Sequence, residues 1–123
     1  KNISEFGYHF GMAYQIQDDI LDITSSKNKE GKPVLNDLSE GVITLPLILY
    51  LESQNYKKDV IKQFSNNEKD VLLNEITRSN SIDRSKEIVN YHYEKALYSL
   101  LSIPESNYRK ALESIITISR NRI

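Results

Sequence analysis

Three carboxylates lie close together in the sequence Asp18-Asp19-Ile20-Leu21-Asp22. On a helix, Asp18 and Asp22 would share one face about 6 Å apart, with Asp19 beside that face, and like charges at this spacing repel. An acidic pair on the solvated edge of a helix would need no ligand. The flanking residues here are largely apolar, however, and charges in such surroundings cost free energy unless a cation pairs with them. The pattern therefore favours a bound cation.

The available ligands limit the identity of that cation. The sequence contains no cysteine, and His9 lies off the aspartate face. Oxygen-only ligands favour magnesium, manganese or calcium over zinc. Two carboxylates on a rigid helix cannot form a calcium cage, but they suit a magnesium ion that takes further ligands from water and phosphate. Of the lysines that follow, Lys27, Lys29 and Lys32, the last is the strongest candidate to meet phosphate charge, so the residues predict a magnesium–diphosphate site.

The element that carries the aspartates is predicted from apolar periodicity. Apolar residues recur at spacings of three and four over residues 3–23, and further apolar side chains cover the other sides, which predicts a helix buried all round. Residues 24–37 are polar with a Gly-Lys-Pro break and predict a long loop of the kind that forms functional lids. Thr44 then caps a second core helix, with Pro46 in its first turn.

Helices are also predicted for the rest of the chain. Residues 56–64 form a short one, and Ser65 with Glu68 has the capping-box spacing that opens another, to about residue 79. Ser81 caps a long helix, which Pro104 ends before starting the last helix. No strand is predicted, so the fold class is all-α. The predicted inner stripes comprise Ile82, Ile88, Val89, His92, Ala96, Leu100 and Ile103 of the long helix and Leu112, Ile115, Ile116 and Ser119 of the last.

Composition limits the classes of function. The 123 residues carry 16 basic and 17 acidic side chains, a net charge of −1, and so offer no basic surface for nucleic acid. The longest apolar run, residues 45–51, is far shorter than the roughly 20 residues of a membrane span. Periodicity is already established at the first residues and Lys1 is not a methionine, which predicts a single domain over residues 1–123 that is truncated at its N-terminus.

An ordered set of motifs resembles the second aspartate-rich region of the trans-isoprenyl diphosphate synthases. It comprises Gly-Met-Ala-Tyr-Gln-Ile-Gln-Asp-Asp-Ile-Leu-Asp at residues 11–22, Gly-Lys-Pro at 31–33, Asp-Leu-Ser-Glu-Gly at 37–41 and Thr-Leu-Pro at 44–46. The resemblance continues at lower specificity to the terminal Arg-Asn-Arg at 120–122, and so covers essentially the whole chain. It implies the C-terminal half of the isoprenoid synthase helical bundle.

The resemblance implies a magnesium-dependent transferase. Such enzymes ionise an allylic diphosphate with magnesium ions, add isopentenyl diphosphate to the carbocation and release a proton. In this family the first aspartate of the motif binds a metal directly. This implies that role for Asp18, with Asp19 and Asp22 as further or water-mediated ligands.

Substrate contacts are implied at three positions. Lys32 matches a catalytic lysine that contacts the allylic diphosphate, Gln15 matches a glutamine that lines the pocket, and Tyr14 stands near the isopentenyl group. One departure is Val42, which replaces the lysine of the family's usual Glu-Gly-Lys-x-Thr, so a second phosphate lysine is missing. Tyr14 and Val42 together resemble the large catalytic component of two-part hexaprenyl or heptaprenyl synthases.

That likeness implies a medium-chain polyprenyl product made from isopentenyl diphosphate and farnesyl diphosphate. It also implies a dimer, or a hetero-oligomer with a small regulatory subunit, in cytoplasmic menaquinone biosynthesis. The family's first aspartate-rich motif and its isopentenyl-binding basic residues are not among these residues, so the chain alone is predicted to be inactive. A class I terpene cyclase and a non-catalytic helical subunit stay open as alternatives.

The remaining polar and aromatic candidates have simpler interpretations. His92 is predicted to be a core histidine rather than a base. The tyrosines of the long helix are predicted to pack rather than bind a cofactor, and the terminal arginines to form a solvated end rather than close over phosphate. The residues concerned are Tyr91, Tyr93, Tyr98, Arg120 and Arg122.

Overall fold

The computed structural model describes residues 2–24, 44–54 and 69–122, and the elements in these ranges are helical with no strand, as the sequence predicts. The helices form two compact units, one of Lys1–Gln17 with Glu87–Ile123 and one of Asp18–Lys86. No helix among the described residues is long and apolar enough to cross a membrane. The elements are α1 (Asn2–Thr24), α2 (Leu45–Ser53), α3 (Lys69–Arg78), α4 (Ser81–Ser99), a 3-10 turn (Leu100–Ser102) and α5 (Asn107–Arg120).

Helix α1 matches the predicted helix over residues 3–23 to within a residue at each end. The prediction that it is buried all round is wrong, because Ile3, Tyr8 and Met12 are exposed. Burial follows one stripe at helical spacing instead. The residues of that stripe are half-buried up to residue 10 and buried from residue 13 onward. They are Phe6, His9, Phe10, Ala13, Ile16, Gln17 and Ile20.

Helices α2 and α3 pack together in the second unit. Thr44 occupies the N-cap of α2 with extended backbone, as predicted, but its side chain makes no capping bond and its carbonyl accepts from the Ile48 N–H at 2.9 Å. Tyr50 is buried, and its hydroxyl donates to Glu75 Oε1 at 3.5 Å. Burial, and then the Glu75 charge, raise the pKa of Tyr50. The helix predicted at residues 56–64 and the Ser65 cap lie outside the described residues.

Helix α4 begins one residue earlier than its predicted cap at Ser81 implies. The Arg84 N–H bonds to the Asn80 carbonyl at 2.9 Å, which makes Asn80 the N-cap and Ser81 the first helical residue. Ser81 is fully buried, and its carbonyl accepts from Ser85 Oγ at 2.8 Å. The predicted inner stripe is otherwise confirmed, since its members from Ile82 to Leu100 are buried or half-buried.

The prediction that Pro104 starts the last helix is wrong. Helix α5 begins at Asn107, and Ser106 is its N-cap, with Oγ accepting from the Arg109 N–H at 3.2 Å. Ile103, the residue before the proline, is extended, as the steric demand of the proline ring requires. Arg109 fastens this bend, because it donates to the Ile103 carbonyl and to Glu113, each at 3.0 Å. The chain therefore bends at residues 103–105, and the last helix starts only after Ser106, whose side chain caps it.

Candidate functional site

The aspartate motif occupies the last two turns of α1. Since the helix runs unbroken to Thr24, Asp18 and Asp22 lie on the same face, one turn apart. Asp18 is exposed and Asp22 half-buried, whereas Asp19 is only 8% exposed. Asp19 shares its side of the helix with Ile23, which is also buried. The accessible carboxylates of the motif are therefore those of Asp18 and Asp22.

Apolar packing holds the backbone beneath these two carboxylates. Ile20 and Ile23, which alternate with them along the helix, are both buried. The Thr24 hydroxyl donates to the Ile20 carbonyl one turn earlier at 3.0 Å, a second bond beside the helical one. The motif thus lies on a helix whose register is fixed by its buried side, which gives the carboxylates a defined spacing.

The donor set of this face fits a partial magnesium site. Within the ranges that the structure describes, no three histidine, cysteine, aspartate or glutamate side chains gather into a group that could hold a metal. Two carboxylates on one helix face match the way proteins bind magnesium, which keeps several waters and takes other ligands from substrate phosphate. Lys27, Lys29 and Lys32, with the rest of the predicted loop, lie outside the described residues, as does Val42.

The two predicted substrate contacts of α1, Tyr14 and Gln15, are both exposed. The Tyr14 ring is 40% exposed and lies 5.9 Å from the Phe10 ring, centroid to centroid. The guanidinium of Arg122 lies over the Tyr14 ring, and its central carbon is 3.8 Å from the ring centroid. This contact joins residues 108 positions apart, so the local sequence around Tyr14 or Arg122 could not predict it.

Gln17 is a buried polar centre in the first unit. It is 0% exposed, and its Oε1 accepts from the Tyr93 hydroxyl at 2.5 Å and from Arg122 Nη2 at 2.9 Å. Its Nε2 donates to the Arg120 carbonyl at 3.4 Å. Gln17 falls in phase with the apolar stripe of α1, and an uncharged polar residue on such a stripe was the only sequence signal for this network.

The C-terminal arginines are packed rather than solvated, so the prediction of a solvated end is wrong. Arg120 Nη1 lies 2.9 Å from Glu94 Oε2, and its Nε donates to Asn90 at 3.4 Å. Arg122 is held against Tyr14 and Gln17. Both arginines therefore tie the end of the chain to other helices of the first unit.

Two histidines meet in the same unit. His92 is 9% exposed, which confirms the core position predicted for it, and its Nδ1 lies 2.9 Å from Nδ1 of His9. Tyr8 and Tyr91 meet this pair edge-on. Of the tyrosines predicted to pack, Tyr93 is fully buried, and Tyr91 packs against both histidines although it is exposed. Tyr98 is exposed, so the prediction is wrong for that residue.

Comparison with known sequences identifies the family. The model of the polyprenyl synthetase family matches residues 1–79, more than half of the chain. The chain is 34% identical over 118 residues to heptaprenyl diphosphate synthase component 2 of Bacillus subtilis, which covers 94% of this chain and 34% of that protein. It is also 34% identical over 127 residues to the chloroplastic solanesyl-diphosphate synthase 2 of Oryza sativa, which covers 100% of this chain and 31% of that protein.

Solved structures share the fold. Heptaprenyl diphosphate synthase from Staphylococcus aureus matches with a TM-score of 0.83 at 32% identity, over 98% of this chain and 39% of that one. Geranylgeranyl pyrophosphate synthetase from Pyrococcus horikoshii matches with a TM-score of 0.82 at 28% identity, over 100% of this chain and 39% of that one. The chain therefore belongs to the polyprenyl synthetase family, the trans-isoprenyl diphosphate synthases. It spans about a third of the length of the curated relatives it matches, 34% and 31% for the two named above.

Proposed function

We propose that this chain supplies the second aspartate-rich part of a trans-polyprenyl diphosphate synthase, which condenses isopentenyl diphosphate with an allylic diphosphate to make a medium-chain product. The observation that carries the proposal is the accessible pair Asp18 and Asp22 on one face of an anchored helix. Membership of the polyprenyl synthetase family supports it, as does the similarity to synthases named for heptaprenyl and solanesyl diphosphate.

In this proposal Asp18 and Asp22 hold magnesium against the substrate diphosphate, and Asp18 is the direct ligand. Asp19, 8% exposed, acts through a water or holds its neighbours in place. Bound magnesium supplies Lewis-acid stabilisation of the negative charge that develops on the leaving diphosphate. Lys32 contacts the same diphosphate, while Tyr14 and Gln15 face the isoprenoid part of the substrates.

The aspartates contribute fixed negative charge at a defined spacing. Because Ile20 and Ile23 anchor the helix, its backbone holds Asp18 and Asp22 one turn apart before a cation binds, and such preorganisation favours charge stabilisation. The repulsion between two carboxylates one turn apart is relieved by the same cation.

The partners follow from the same family. Farnesyl diphosphate is the proposed allylic substrate, and the protein works as a dimer or with a small second component, because the Bacillus subtilis relative is itself named component 2. We place the enzyme in the cytoplasm and its product in menaquinone biosynthesis. The isolated 123 residues are expected to show no turnover, since the first aspartate-rich motif of the family is not among them.

A segment exchange tests the proposal. Residues 1–123 replace the matching segment of the Bacillus subtilis heptaprenyl synthase component 2, which aligns over 94% of this chain. The chimaera, assayed with its partner component and radiolabelled isopentenyl diphosphate, is expected to make polyprenyl diphosphate, whereas residues 1–123 alone are not. The matched control carries the same segment with Asp18→Asn and Asp22→Asn. A folded chimaera without turnover, or with turnover that survives the double substitution, would overturn the proposal.

The same chimaera separates two rival functions. Product formed from an allylic diphosphate in the absence of isopentenyl diphosphate would point to a cyclase. Failure of the folded chimaera to bind magnesium with inorganic diphosphate, measured by calorimetry, would point to a non-catalytic helical subunit. The proposed synthase requires both the second substrate and the metal.

A further inference from the structure

Arg122, near the end of the described residues, contacts one turn of α1 through its guanidinium. Its guanidinium lies over the Tyr14 ring, 3.8 Å from the centroid, a distance at which cation–π attraction operates. Its Nη2 donates to Gln17 Oε1 at 2.9 Å and to the Tyr14 backbone carbonyl at 3.3 Å. The two hydrogens of that nitrogen are thus both directed at residues 14–17.

The Gln17 amide fixes where Arg122 can sit. Gln17 Oε1 receives two donors, from Tyr93 and Arg122, while its Nε2 donates to the Arg120 carbonyl. Turning the amide by half a rotation would set its NH2 group against both donors inside a fully buried site, which costs the desolvation of unpaired polar groups. The amide therefore has one orientation, and the acceptor offered to Arg122 is stationary.

Tyr14 is the exposed member of this arrangement. An exposed side chain changes rotamer on the picosecond to nanosecond timescale unless contacts restrain it. Phe10 lies beside the Tyr14 ring and Arg122 covers one of its faces, yet the ring stays 40% exposed. Arg122 thus links a ring that could turn to a buried network that cannot.

We propose that Arg122 is a positioning residue, which fixes the orientation of the Tyr14 ring and thereby sets how a prenyl synthase holds the isoprenoid part of its substrate. This inference rests on the proposed function, in which Tyr14 faces the isopentenyl group. In this role Arg122 acts through the ring, which the guanidinium covers while its Nη2 hydrogens bind Gln17 and the Tyr14 carbonyl.

A double-mutant cycle in the chimaera tests that route of action. Arg122→Ala and Tyr14→Ala are each expected to raise KM for isopentenyl diphosphate by roughly threefold to tenfold, the range of one cation–π contact, with a smaller change in kcat. The double variant is expected to equal Tyr14→Ala alone, because Arg122 has no ring left to position. Additive losses would show that Arg122 acts on substrate by another route and would overturn the proposal.

Two further variants separate stacking from charge. Arg122→Lys keeps the positive charge but loses the planar group that stacks and forks, so it is expected to resemble Arg122→Ala. Full rescue by lysine would mean that charge alone matters and would overturn the proposal. Arg120→Ala removes an equal charge two residues earlier, where the partners are Glu94 and Asn90, and is expected to leave KM unchanged.

A measurement on the 123-residue chain needs no activity. With 3-fluorotyrosine incorporated, the fluorine resonance of Tyr14 is assigned by its loss in Tyr14→Phe. Arg122→Ala is expected to shift and sharpen this resonance while the Tyr98 resonance stays in place, and a melting curve confirms that the variant folds. An unmoved Tyr14 resonance overturns the positioning role, whereas an inactive chimaera with a shifted resonance counts against the proposed function alone.

Discussion

His9 and His92 face each other through their Nδ1 atoms, 2.9 Å apart, in a contact that joins α1 to α4 within the first unit. A hydrogen bond of this kind needs one hydrogen between the two nitrogens, so one ring donates while the other accepts as a neutral imidazole. Glu5 lies 4.0 Å from Nε2 of His9, Tyr8 and Tyr91 border the rings, and Lys95 lies over the Tyr91 ring. Protonation of both histidines would break the bond and bring two positive charges together.

The pair predicts a pH dependence of stability. Burial, and then the neighbouring His9, lower the pKa of His92 from its usual 6.5. The folded chain therefore binds fewer protons than the unfolded chain below that value, so the free energy of unfolding is full above about pH 6.5 and falls as the pH drops toward the folded pKa. Urea unfolding at a series of pH values between 5 and 8 measures this. His92→Gln is expected to flatten the profile between those values, and an unchanged slope would contradict the assignment to His92.

Asp18 is expected to matter for catalysis and not for folding. In the chimaera, Asp18→Asn should lower kcat/KM by roughly 10²–10³-fold, because it removes a charged metal ligand. The free energy of unfolding should stay within about 0.5 kcal/mol, since Asp18 is exposed and its loss relieves repulsion with Asp22. Glu105→Gln, an exposed acid in the bend before α5, serves as the charge control. Equal losses of turnover and stability would show that the carboxylate is structural.

Ser106 is expected to stabilise α5 through its side chain. Ser106→Ala removes the oxygen that accepts from the Arg109 N–H and should lower the free energy of unfolding by about 1 kcal/mol. Ser106→Gly, which lets water reach the same N–H, should lower the free energy of unfolding by only about a few tenths of a kcal/mol. Chemical denaturation of the three proteins compares them. An alanine variant as stable as the protein with Ser106 would mean that the cap bond adds nothing.

How far the sequence predicts this structure depends on whether the determinant is local. The spacing of three and four in α1, the inner stripe of α4 and the cap position at Thr44 are local, and each appears where expected. The errors at Ser81 and Pro104 are local as well, because in each case a serine oxygen two residues away bonds to an N–H at the helix start: Ser79 Oγ accepts from Ser81, and Ser106 Oγ from Arg109. Helix existence was therefore predictable, and helix ends less so.

Contacts between residues far apart in the chain could not be predicted from the sequence. Nothing in the spacing of Gln17 distinguishes a buried network from a tolerated polar residue, because its partners Tyr93 and Arg122 lie 76 and 105 positions away. The one-sided burial of α1 was missed for a related reason: apolar side chains all round a helix do not state which of them find partners. Motif spacing, by contrast, survived intact, because Asp18 and Asp22 depend only on the helix that holds them.

Gly7 and Gly11 on α1 lead to one more consequence. A methyl group built at either position meets no atom within 4 Å among the residues that the structure describes. Each Gly→Ala change should therefore raise the stability of the 123-residue chain by up to about 1 kcal/mol through helix propensity alone, as thermal unfolding would show. Alanine at these two positions can then be used to test whether a neighbouring backbone lies close to α1. If alanine stabilises the chain by itself but destabilises the chimaera, the difference reports how closely a neighbouring backbone approaches α1 in the longer protein.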